Sequence, residues 1–164
     1  MELSIDIISI ILGHLDTKSL IWSSRTCKKW RRVFIKYLPK YKLDLSSYFN
    51  KITDAGLENL KGVHIINLSC CNQITDAGLE HLKGVHTINI SYCNKITDAG
   101  LEHLKGVYTI YLNSSKQITD AGLKYLEGVH TIDLDSCCEI TDAGLKHLKG
   151  VHSINIYNCN KIQM

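Results

Sequence analysis

Proline occurs once in these 164 residues, at Pro39, and phenylalanine, tryptophan and methionine twice each. No apolar run approaches 18 residues, so no membrane-spanning helix is expected. Residues 1–15 are apolar but broken by Glu2, Asp6 and His14. They lack a basic leader and a small-residue cleavage site, so no secretory signal is expected either. There is no phosphate-binding glycine loop. Serine, histidine and aspartate meet only as repeat neighbours, so no nucleophile has a positioned base and no enzyme is expected. The seven cysteines are an odd number. That count fits a reducing, intracellular setting better than a disulfide framework.

What the chain has in abundance is repetition. Ile-Thr-Asp-Ala-Gly-Leu starts at Ile52, Ile74, Ile96, Ile118 and Ile140, each 22 residues after the last. A fixed period of this length marks a solenoid. In the third unit Leu82, Val85, Ile88, Ile90, Cys93, Ile96, Leu101 and Leu104 carry the apolar pattern. Ile88-x-Ile90 has period two, which predicts a short strand over Thr87 to Ser91. Thr97 to Lys105 shifts to helical spacing, with Thr97 or Asp98 as N-cap and Asp98 suited to the positive end of the dipole. Gly106 stands where a left-handed C-cap wants glycine. One unit cannot bury its apolar side alone, so neighbours must stack. The first copy has one extra residue before Ile52, which predicts a bulge or loosened turn near Tyr48 to Asn50.

Residues 1–40 are different. They hold eight Lys/Arg and three acids, a balance of +5, against eleven and thirteen, −2, for the remainder. Leu3, Ile7, Ile8, Ile11, Leu12 and Leu15 have helical spacing. Asp16-Thr17 offers a break and a fresh cap. Leu20 and Ile21 begin a second amphipathic stretch, Cys27, Trp30, Val33 and Phe34 a third, and Pro39 marks the exit. Three short helices cannot build a large core, so such a unit leans on a neighbour or partner.

The repeat pattern resembles the cysteine-containing subclass of leucine-rich repeats, over roughly residues 42 to 164. Leu3-Ser4, Ile7-Ile8, Ile11-Leu12, His14-Leu15-Asp16, Ser19-Leu20 and Thr26-Cys27-Lys28-Lys29-Trp30 resemble an F-box. Ser4 stands where that family has proline, and Ser19 where it has an acid. The resemblance implies an α/β fold. A small all-α F-box at 1–40 precedes a solenoid of about five to six units at 41–164, with parallel strands on the concave face and short helices on the convex face. It also implies partners. The F-box would dock on the Skp adaptor of a cullin-type ubiquitin ligase through Leu3, Ile7, Ile11, Leu15, Leu20 and Trp30, and the repeats would choose the substrate. Short chains of this kind resemble F-box proteins of large DNA viruses, which redirect a host ligase. The expected location is the cytoplasm or nucleus, of the host if the chain is viral. The alternative is a non-catalytic repeat scaffold or inhibitor that only sequesters the adaptor. The basic run Lys28 to Arg32 falls inside the F-box pattern and reads as a helix face, not as a nucleic-acid site.

Several columns recur at the repeat period. Cys71, Cys93, Cys137 and Cys159 share a place that Ser115 fills in the fourth unit. That fits a small, weakly hydrogen-bonding residue in a tight buried turn, and no metal or other cofactor is expected there. His64, His86, His130 and His152 share a place with Tyr108, just before the strand. His81, His103 and His147 share one with Tyr125 on the helices and are expected to be solvated. Where the copies differ, Tyr92, Tyr108, Tyr111, Asp133, Asp135 and Tyr157 stand out as substrate contacts. Tyrosines anchor interfaces, and the acids suit a partner with a basic segment. The strand face measures about 350 Å² in flat projection from strand spacings. A standard interface takes about 800 Å² per partner. The last strand, around Ile154 to Ile156, is expected to leave an open edge with Ile154, Ile156 and Ile162 partly bare. Self-association through that edge follows as an expectation.

Overall fold

The computed structural model describes residues 42–163. Six three-residue strands form one parallel sheet in chain order: β1 Lys42–Asp44, β2 Ile65–Asn67, β3 Thr87–Asn89, β4 Thr109–Tyr111, β5 Thr131–Asp133 and β6 Ser153–Asn155. The register never slips. Ile66 pairs with Ile88, then Ile110, Ile132 and Ile154, so one side-chain column faces one way through the sheet. Pairing runs past the strand ends, with Ile90 N–H donating to Tyr111 O at 3.1 Å and Tyr92 N–H to Asn113 O at 2.9 Å. The ladder therefore covers the expected Thr87 to Ser91 span.

The expected helix over Thr97 to Lys105 is shorter and of two kinds. An α-turn, Asp98–Leu101, tightens into a 3-10 turn, Glu102–Leu104, and each unit repeats the pair. A 22-residue circuit leaves room for little more, and short 3-10 pieces are common helix ends. Thr97 is the cap, its Oγ1 accepting from Ala99 N–H at 3.2 Å. Asp98 is not. Its carboxylate reaches into the next unit, where it accepts from Thr119 N–H at 2.8 Å and Thr119 Oγ1–H at 2.7 Å. Gly106 has φ +82°, the left-handed conformation expected of it. The extra residue of the first copy is taken up by a 3-10 turn, Ser46–Tyr48, rather than by a bulge.

The core is a continuous stack of Leu, Ile, Val and Cys between sheet and helices. Ile88, Leu101, Ile110, Leu112 and Leu123 are fully buried. Burying one such side chain contributes about 1.5–3 kcal/mol, and each unit repeats the set. β6 differs: Ile154 is 37 % exposed where Ile132, one strand back, is 1 % exposed. Ile156 and Ile162 are partly buried. Among the described residues no helix is long and apolar enough to cross a membrane.

Candidate interaction face of the repeats

Residues between the inward pair of each strand point to the open face of the sheet. The central column is Asp44, Asn67, Asn89, Tyr111, Asp133 and Asn155. Its preference for Asn and Asp has a local cause. Oδ1 of Asn67, Asn89, Asp133 and Asn155 accepts from the amide two residues on, at 3.1, 3.0, 3.1 and 3.1 Å. Each bond closes the turn at which the chain leaves the strand. The residue directly after that amide then adopts a left-handed conformation: Cys70, Tyr92, Ser114, Ser136 and Asn158 have φ between 56° and 64°. Asp133 is therefore partly a turn residue, a role the sequence reading did not give it.

Tyr111 breaks this column. A phenol cannot accept from the amide two residues ahead, and the deficit is made good from the neighbouring unit. Asn113 N–H donates to Ser91 Oγ at 3.2 Å, and Ser91 Oγ–H donates to Asn113 Oδ1 at 3.1 Å. The fourth unit also carries Tyr108 for histidine and Ser115 for cysteine. The departures thus gather on β4, in the middle of the sheet.

The six expected contact residues do not form one patch. Tyr92, Tyr108, Tyr111 and Tyr157 are all exposed, Tyr157 most of all. Asp133 is the direct strand partner of Tyr111. Its Oδ1 also accepts from Asn155 Nδ2 at 3.0 Å. Asp135 lies two residues further along the same face, its Oδ1 accepting from Ser136 Oγ at 2.9 Å. Tyr108 belongs elsewhere. Its ring is stacked between His86 and His130, at centroid distances of 4.7 and 4.4 Å. Only its edge is free, so it is a spine residue before it is a contact. The column continues to His64 and His152, at 4.6 and 4.5 Å, matching the strand spacing. His86 and His130 Nδ1 each lie 3.1 Å from the neighbouring threonine hydroxyl.

The helical column is less solvated than expected. His81, His103 and Tyr125 are half-buried, and only His147 is exposed. Lys105 and Lys124 ammonium groups lie 4.9 and 4.7 Å from the Tyr125 ring centroid. The cysteine column is structural, as expected. Cys93, Cys137 and Cys159 Sγ donate to the carbonyls of Leu68, Leu112 and Leu134 at 3.2, 3.1 and 3.0 Å. Burial pushes the Cys93 and Cys137 thiols up to about 12 and Cys71 up to about 11. A thiol held up in this way stays protonated near neutral pH and serves as a neutral hydrogen-bond donor.

Family models match this architecture. The F-box domain model matches residues 1–40, and the leucine-rich-repeat model matches 63–83, 85–105 and 129–149. The chain carries an F-box domain followed by leucine-rich repeats. The six expected F-box contact residues, Leu3 to Trp30, lie outside the described residues. No curated protein matches the sequence of this F-box/leucine-rich-repeat chain. Among solved structures, a chain in the crystal structure of the Rad7 and Elc1 complex in yeast has the same fold, with a TM-score of 0.56 at 14 % identity. The match covers 68 % of this chain and 34 % of that one. The F-box/leucine-rich-repeat chain thus spans about a third of its longer structural neighbour.

Proposed function

We propose that this chain is the substrate-recognition subunit of a Skp–cullin–F-box ubiquitin-protein ligase. The F-box docks on the Skp adaptor, and the repeats hold a target protein. The observation that carries the reading is the order of parts. An F-box is followed directly by repeats whose sheet offers an open face studded with exposed tyrosines. The structural neighbour, crystallised as a complex of two proteins, is in keeping with a repeat chain that works in an assembly. The role of this chain is to hold, not to catalyse. It raises the local concentration of a target beside the transfer machinery. Its place of work is the cytoplasm or nucleus, of an infected host if the chain is viral. Buried thiols acting as hydrogen-bond donors suit such a reducing setting.

The test is recovery of the full chain from its native cell. Skp adaptor and cullin should come with it, and one protein should accumulate when the chain is removed. Adaptor recovered without cullin or any stabilised protein would favour the sequestering role instead. No adaptor at all would overturn both.

The sheet edge supports one further part of this reading. β6 has a strand neighbour on one side only among the described residues, and Ile154 is bare beside it. We propose that a second copy of the chain pairs there, which would also enlarge a face too small for a standard interface.

A further inference from the structure

We propose that Tyr111 and the Asp133 carboxylate beside it form the receptor for an arginine side chain of the partner protein. The inference rests on the proposed role of the repeats in holding a target, and names the chemistry of that contact. Three observations converge on the pair. First, Tyr111 stands where all five other strands show Asn or Asp accepting from the amide two residues on, Asp44 from Ser46 N–H at 3.0 Å among them. Tyrosine forfeits that bond, and Ser91 of the previous unit replaces it. The turn keeps a hydrogen bond through Ser91, so closing it does not require the residue at position 111.

Second, Tyr111 and Asp133 are direct partners across β4 and β5, on one face, about 4.8 Å apart along the sheet. Asp133 Oδ1 is taken by Asp135 N–H and Asn155 Nδ2, but Oδ2 accepts no hydrogen bond among the described residues. One carboxylate oxygen is therefore left without a hydrogen-bond partner among the described residues, on the strand beside Tyr111. Third, the outward strand columns from β3 to β6 contain two charged residues, Asp133 and Asp135, both negative. A cation meets no repulsion from these columns.

Guanidinium fits this arrangement better than ammonium. It is planar, so it can stack on the Tyr111 ring while an edge N–H meets Asp133 Oδ2. An ammonium ion is a compact, strongly hydrated point charge that gains less from a ring face. Asp135 lies within the same face as a second acceptor for the free edge of the fork. Tyr111, at the middle of the sheet and 36 % exposed, is already half packed, so little side-chain freedom is lost on contact.

The repeat itself supplies variants that keep the fold. Asn occupies the same column at three positions, so Tyr111→Asn and Asp133→Asn install residues the turn already uses. The probe is N-acetylarginine amide, a monocation without a carboxylate, titrated into the 15N-labelled full chain. The matching lysine and citrulline amides serve as comparisons. Saturable shifts should appear at Tyr111, Asp133 and Asp135 amides and be absent with the uncharged citrulline amide. The lysine amide should bind severalfold more weakly. Each variant should weaken the arginine amide about tenfold, the scale of one lost cation–π or charged contact. Equal response to the three amides, or binding untouched by both variants, would overturn the assignment. That result would leave the adaptor reading standing, since recovery of the Skp adaptor is measured separately.

Discussion

Asp76 holds Thr97 of the next repeat twice: Oδ1 accepts from the Thr97 amide at 2.8 Å and Oδ2 from its hydroxyl at 2.6 Å. The same clasp joins Asp54 to Thr75, Asp98 to Thr119 and Asp120 to Thr141. Asp142 makes a looser version to Gln163 N–H, at 3.3 Å. Thr97 meanwhile caps its own helix with the same oxygen that donates to Asp76. The recurring Thr-Asp pair is thus a relay in which Thr97, Thr119 and Thr141 each close their own turn and receive the previous unit's acid, while Thr75 receives Asp54 without capping. From the second unit on, at Gly78, Gly100, Gly122 and Gly144, the glycine two residues after the aspartate belongs to the same device. A Cβ on Gly100 would collide with the Asp76 carboxylate.

Gly100→Ala and Gly56→Ala should therefore have opposite signs. Alanine in a helical turn is worth about 0.5–1 kcal/mol over glycine. At Gly56 a Cβ meets nothing, so that gain should be kept. At Gly100 the Asp76 carboxylate must leave Thr97, losing charge-assisted bonds worth about 1.5–3 kcal/mol each when well buried. These are partly buried, so the net cost should be about 1–2 kcal/mol. Urea unfolding of the two variants measures both. Equal stabilisation by both would show that the clasp contributes nothing.

The thiols divide by position. Cys70 and Cys138 are exposed, while Cys93 and Cys137 are buried with burial pushing both thiols up to about 12. Iodoacetamide near pH 8 should label Cys70 and Cys138 first, because the thiolate is the nucleophile. Peptide mass mapping over time reads the order. The buried thiols also set a sign for stability. Their folded pKa lies above the ordinary 9.0, so their contribution is complete below pH 9 and lost between about 9 and 12. Cys93→Ser should fold without metal, as Ser115 does in the same place. Stoichiometric zinc lost together with the fold in that variant would contradict this.

Much of this was legible because a 22-residue period forces equal environments on equal positions. The strand at Ile88-x-Ile90, the left-handed Gly106 and the buried cysteine column all follow from local spacing. The Asp–Thr clasp did not, because its partners are 21 residues apart and Thr97-Asp98 already makes sense as a helix start. Nor did the two roles of the tyrosines. Tyr108 and Tyr111 differ by three residues and read alike as departures. Only the stack with His86 and His130 shows that Tyr108 belongs to a spine, which Tyr111 does not join. The Asn/Asp column carried a readable hint, since a column so restricted points to side chains that close a turn on the amide two residues on. Asp133 could have been assigned its turn role from that restriction alone.

Adaptor docking can be separated from folding. Trp30→Ala in the full chain should abolish recovery of the Skp adaptor. If Trp30 is a core residue the change costs about 3–5 kcal/mol, so circular dichroism must accompany it. Leu15→Glu and Leu20→Glu give a second route through the expected contact set. Unimpaired adaptor binding by all three would remove the F-box contact assignment.

The edge of β6 gives the last test. Ile154 continues the column of Ile66, Ile88, Ile110 and Ile132, yet it is 37 % exposed where those four are at most 1 %. Among the described residues the strand pairs with β5 alone, and unpaired groups at a sheet edge can take up a new ladder. In the proposed pairing a second copy would supply a matching strand and apolar area to cover Ile154. Sedimentation velocity of the full chain at several concentrations should show a concentration-dependent shift from monomer to dimer. Ile154→Lys should remove it, since a charge at a pairing edge opposes strand addition. β5 should remain paired to β4 in that variant, leaving the circular dichroism unchanged. A chain that stays monomeric at all concentrations, with residues 153–155 protected from hydrogen exchange, would show that the edge is covered without a second copy.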